Sequence, residues 1–73
     1  MVFGGRIMQI IVNGEQKQIE PGLTAAALVE QMGLGGRRIA MEVNLEILPR
    51  SRYTEHTFAD GDRIEIVHAV GGG

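Results

Sequence analysis

The chain has 73 residues, 44% of them hydrophobic and 22% charged, with a formal net charge of −2. A chain of this length holds one small domain and has no room for a second core. It has no Cys, so neither a disulfide framework nor a Cys-ligated zinc can staple it, and its slightly acidic balance supplies no basic patch for nucleic-acid phosphates.

In chain order, Met8 to Val12 reads as a strand, with Met8, Ile10 and Val12 alternating against Gln9 and Ile11. Asn13-Gly14 suits a type I′ hairpin turn, which needs φ > 0 at both central residues. Glu15 to Ile19 returns as a second strand, with Lys17 and Ile19 on one face. Pro21-Gly22 breaks that strand. Thr24 is then a natural N-cap, and Leu23 and Leu28 stand at the N′ and N4 positions of a hydrophobic staple. Ala25 to Met32 has strong helix propensity, and Gly33 suits the left-handed position that closes a helix.

Ile39 to Val43 is a third strand, with Ile39, Met41 and Val43 inward. Asn44 begins a turn, and Leu45 to Leu48 is a short strand stopped by Pro49. Residues 50–53 are irregular or form a single helical turn. Asp60-Gly61 is a further turn signal, and Asp62 to His68 is the last strand. The order hairpin, helix, two short strands, final strand predicts an α+β fold of the ubiquitin-like β-grasp type. A mixed sheet of four to five strands packs on one main helix, with the last strand parallel to the first and beside it. The expected core is Ile10, Val12, Ile19, Leu28, Met32, Ile39, Met41, Val43, Ile64 and Ile66, with Tyr53 as a satellite. The expected organisation is an N-terminal extension over residues 1–7, the β-grasp domain over residues 8–69 and a glycine tail over residues 70–73.

That tail, Ala69-Val70-Gly71-Gly72-Gly73, is the most unusual feature of the chain. Without Cβ atoms at its end it is slender, and residues 70–73 reach roughly 13 Å beyond the sheet at ~3.3 Å per residue. Such a tail can thread into a narrow site of another protein. There the Gly73 carboxylate can attack the α-phosphate of ATP, a reaction that needs no side-chain catalysis.

Three stretches carry a resemblance to a known family. They are Met8-Gln-Ile-Ile-Val-Asn-Gly14, Ala40-Met-Glu-Val-Asn44 with Ile47-Leu-Pro-Arg50, and Asp60-Gly-Asp-Arg-Ile-Glu-Ile-Val67 with Ala69-Val-Gly-Gly-Gly73. From Met8 to Gly73 the chain resembles the ThiS family, the sulfur carriers of thiamine biosynthesis. The resemblance implies a carrier and not an enzyme. An E1-like adenylyltransferase (ThiF) activates the terminal glycine with ATP, a desulfurase or rhodanese system supplies sulfur, and thiazole synthase (ThiG) takes sulfur from the resulting thiocarboxylate. Gly73 carries over as the modified residue and Gly72 as the slender residue before it, while Gly71 adds reach. No cofactor is expected on the chain itself, since ATP belongs to the activating partner, and the free chain is expected to be a monomer.

Val67, Ala69, Val70, Ile11, Leu45 and Ile47 are candidates for an exposed apolar docking patch. The arginine pairs Arg37-Arg38 and Arg50 with Arg52 read as a solvated rim, His56 and His68 as polar residues near strand ends, and Asp60 and Asp62 as turn formers. No apolar run approaches the ~20 residues of a membrane span, and residues 1–7 lack the apolar stretch of a signal peptide, so a cytoplasmic location without membrane or nucleic-acid partners is expected. Two alternatives share the fold and tail: the small subunit of molybdopterin synthase (the MoaD type) and a ubiquitin-like protein modifier. The single Lys17 would constrain a modifier that builds chains on itself.

Overall fold

A computed structural model describes residues 7–68. Its elements are β1 (Met8–Val12), β2 (Glu15–Ile19), α1 (Ala25–Gln31), β3 (Ile39–Val43), β4 (Glu46–Leu48), a 3₁₀ turn (Arg50–Arg52) and β5 (Arg63–His68). The strands form one five-stranded sheet in the order β2-β1-β5-β3-β4. β5 therefore lies at the centre, parallel to β1 on one side and antiparallel to β3 on the other. This is the expected β-grasp arrangement. The extension through Arg6, and the boundary and tail expected over residues 69–73, lie outside the described residues.

Both hairpins close through two-residue connections. In the β1–β2 hairpin Val12 pairs with Glu15, leaving Asn13 and Gly14 between them with φ of 51° and 84°. In the β3–β4 hairpin Val43 pairs with Glu46, and the two turn residues are Asn44 and Leu45, with φ of 52° and 71°. Leu45 thus belongs to the turn and not to the strand expected from Leu45 to Leu48, because a two-residue connection takes both central residues into the left-handed region. β5 likewise starts one residue late, since Asp62 is held in the preceding turn by its N–H to the Ala59 carbonyl, 3.1 Å.

The helix is short but closed at both ends. Ala25 N–H donates to the His56 carbonyl and Ala26 N–H to the Tyr53 carbonyl, both at 2.9 Å. The Thr24 hydroxyl accepts from Ala27 N–H at 3.1 Å. The donors that a helix start leaves free are thereby satisfied, two of them by the loop after the 3₁₀ turn. At the other end Gly33, φ 74°, donates to Glu30 O, and Leu34 donates to Val29 O, the paired bonds of a Schellman motif. The helix therefore ends at Gln31 with Met32 as its cap and Gly33 in the left-handed position expected of it.

The core contains Ile10, Val12, Ile19, Leu28, Ile39, Met41, Ile64 and Ile66 as expected. Met32 and Val43 are only half-buried, packed on its margin. Their places are taken by Ala25, Val29, Tyr53 and Phe58. Tyr53 is a full core member and not a satellite. The bonds from the helix start to the Tyr53 and His56 carbonyls tie the loop to α1, and Tyr53 and Phe58 on that loop join the core.

Candidate functional site

The parallel β1–β5 pairing is short, with Ile11 opposite Arg63 and Val12 opposite Ile64. Side chains lengthen it at both ends. After Asn13 the chain turns away, and the Asn13 Oδ1 accepts the Ile66 N–H at 2.9 Å, where a backbone carbonyl would otherwise stand. At the other end Asp60 Oδ1 accepts from Gln9 N–H at 2.7 Å, and Gly61 N–H donates to Gln9 O at 2.7 Å. Asp62 accepts from Ala59 N–H at 2.8 Å and from Asn44 Nδ2 at 2.9 Å. Asn44 Oδ1 in turn accepts from Arg63 N–H at 3.0 Å. Asp60 and Asp62 are thus turn and strand clamps, as their spacing around Gly61 suggests.

These clamps hold the central strand, and the glycine end follows that strand directly in sequence. That strand has sheet neighbours on both sides. Gly71, Gly72 and Gly73, together with the candidate docking residues Ala69 and Val70, lie outside the described residues.

The other candidates lie on or beside the sheet face opposite α1. The register puts Ile11, Arg63, Glu65, Val67, Ala40, Glu42 and Ile47 on that face. Val67 and Ile47 are exposed, and Ile11 is half-buried. Leu45 projects from the β3–β4 turn at 86% exposure. These residues do not form a continuous apolar patch. Ile47 pairs with Glu42, Glu42 also faces Glu65 across the strands, and Ile11 pairs with Arg63. Val67 is separated from the Arg63 end of β5 by roughly 13 Å.

The remaining polar candidates have structural surroundings. Arg37, Arg38, Arg50 and Arg52 are exposed. His56 packs its ring edge-on against Phe58, centroids 5.3 Å apart at 72°, and its Nε2 is buried without a hydrogen-bond partner among the described residues. His68 is exposed at the end of β5. Burial raises the Tyr53 phenol above its ordinary value, partly offset by the nearby Arg50 guanidinium. Among the described residues no three His, Cys, Asp or Glu side chains converge as a metal site, and no helix is long and apolar enough to cross a membrane.

The geometry is that of a small β-grasp domain whose central strand leads into its glycine end, and residues 10–73 match the ThiS family. The chain belongs to the ThiS family. The sulfur carrier protein ThiS of Escherichia coli is 33% identical over 66 residues, covering 90% of this chain and 100% of that protein. The crystal structure of the thiamine biosynthesis protein ThiS from Geobacter metallireducens superposes with a TM-score of 0.75 at 28% identity, over 90% of this chain and 100% of that one. A thiazole synthase of Paramagnetospirillum magneticum is 41% identical over 66 residues, and a second, from Magnetococcus marinus, is 35% identical. This chain spans 20% of the length of each of these two thiazole synthases. ThiS-like segments thus occur both as small separate proteins and within much longer chains.

Proposed function

We propose that this protein is a sulfur carrier for thiazole formation in thiamine biosynthesis, acting as a co-substrate of other enzymes and catalysing nothing itself. The observation that carries the reading is the full-length likeness to a sulfur carrier in a domain whose central, doubly paired strand is followed directly by the glycine end. The reactive group is the α-carboxylate of Gly73. A carboxylate oxygen attacks the α-phosphorus of ATP in an E1-like adenylyltransferase, pyrophosphate leaves, and an acyl-adenylate forms. A sulfur nucleophile from a desulfurase or rhodanese system then attacks the acyl carbon and expels AMP. Because that nucleophile is a persulfide, the product is an acyl disulfide. A thiol reductant then attacks the donor's sulfur in the S–S bond, forms a disulfide with the donor and releases the thiocarboxylate. The net change at Gly73 is one oxygen replaced by one sulfur. Thiazole synthase takes that sulfur and returns the carboxylate. Gly72 and Gly71 keep the approach to the adenylating site narrow.

The test is an intact mass after incubation with ATP, a sulfur source and the E1-like adenylyltransferase. A gain equal to the sulfur–oxygen mass difference, mapped to Gly73, is expected. No gain, from an adenylyltransferase shown to be active on another carrier, would overturn the reading.

A further inference from the structure

The two tight hairpins of this chain solve the same backbone problem with different residues. The first places Gly14 at its second turn position, φ 84°, and the second places Leu45 there, φ 71°. In the left-handed region a Cβ crowds the following carbonyl oxygen, and glycine escapes this. Leu45 has no compensation within the fold, since its side chain is 86% exposed. Backbone strain and solvation both oppose leucine at this position, and strain kept without a folding benefit points to function.

The turn that presents Leu45 is firmly held. Asn44 N–H donates to the Arg63 carbonyl at 2.7 Å, its Oδ1 accepts from Arg63 N–H, and its Nδ2 donates to Asp62 Oδ1. A side chain on so fixed a base loses little freedom on being captured. Ile47, two residues on, is 68% exposed, and beside it Glu42 and Glu65 face each other across β3 and β5. Like charges in direct cross-strand opposition are unfavourable in the free domain and are relieved by a cation.

We infer that Leu45 is a preorganised docking knob that seats in an apolar pocket on thiazole synthase, with a basic side chain of that partner facing Glu42 and Glu65. The inference rests on the sulfur-carrier reading. Thiazole synthase is the chosen occupant because two relatives carry a segment like this chain within a longer protein of that name. The knob stands at the Arg63 end of β5, and roughly 13 Å of strand separate that end from Val67, so it can anchor the domain while the tail works elsewhere.

The test titrates purified thiazole synthase from the same organism with the full chain and its Leu45→Gly and Leu45→Met variants. Leu45→Gly is expected to weaken binding roughly 10- to 100-fold, the loss of one buried leucine, while its melting temperature stays level or rises. Leu45→Met keeps affinity within about threefold because it keeps the apolar bulk. Binding of the unaltered chain should weaken as salt is raised. Unchanged affinity of Leu45→Gly, a fall of several degrees in its melting temperature, salt-independent binding, or no binding by the unaltered chain would each overturn the inference. So would a loss confined to adenylyltransferase binding. Sulfur loading of the unaltered chain is measured separately. Its failure would sink the carrier reading, whereas normal loading with unchanged Leu45→Gly affinity would sink only the knob.

Discussion

Asn13 and Asp60 let side chains finish what the backbone of β1 leaves incomplete. Each puts a side-chain oxygen where a neighbouring N–H expects a carbonyl, Asn13 for Ile66 and Asp60 for Gln9. Asn13 has a second qualification, since asparagine tolerates the positive φ of the turn. Asn13→Gly keeps that φ but orphans the Ile66 N–H. It should lower unfolding free energy by about 1–3 kcal/mol and remove hydrogen-exchange protection at the Ile66 amide. Asn13→Asp, which keeps the oxygen, should lose less by urea denaturation. Tyr53 offers a second test at this scale. It is the only tyrosine and there is no Trp, so the absorbance band of the ionised phenol reports it alone. Burial raises its folded pKa above the unfolded value of about 10. The folded state therefore holds its proton more tightly. The stability linked to Tyr53 is fully present below about pH 10 and is lost as pH rises through the folded pKa. Spectroscopic titration should show the phenol ionising later in the folded chain than in urea. Earlier ionisation would contradict the burial.

The helix and the loop after the 3₁₀ turn depend on each other. α1 spans only Ala25–Gln31, too short to persist alone in water. Its free N-terminal donors are met by Thr24 and by the Tyr53 and His56 carbonyls, and the same contacts seat Tyr53 and Phe58 in the core. Leu28, on the buried face of this helix, is completely enclosed. Leu28→Ala should lower unfolding free energy by about 2–5 kcal/mol in denaturant titration. In a domain this small that approaches the whole stability. Thr24 and Gly33 were legible as the two ends of α1 because capping is local chemistry. The seating of Phe58 was not, because one aromatic residue in an aperiodic loop sends no signal until the helix start fixes where that loop runs.

At the scale of the whole molecule, fold and reactivity are assigned to different parts of the chain. Among the described residues the buried ones run from Ile10 to Ile66, and the proposed chemistry belongs to Gly73. Gly72→Phe should therefore leave the melting temperature unchanged while abolishing adenylation, read as pyrophosphate release by the activating enzyme. A large drop in melting temperature, or normal turnover, would contradict that separation. The central placement of β5 fits that separation, since the strand that precedes the proposed reactive end has neighbours on both sides.

Strand alternation, the Asn-Gly turn and the alanine-rich helix are local patterns, and each determined its element directly, while the glycine end is a pattern of the sequence that lies outside the described residues. From them followed the order of elements, the parallel pairing of the first and last strands, most of the core and the resemblance to the ThiS family. The tertiary structure decided what depends on register. It set Glu42 opposite Glu65, interrupted the apolar face with charges, completed the β1–β5 ladder with side chains and gave Leu45 a positive φ. A leucine after an asparagine reads as the start of a strand. Only the pairing of Val43 with Glu46 makes it the exposed apex of a strained turn.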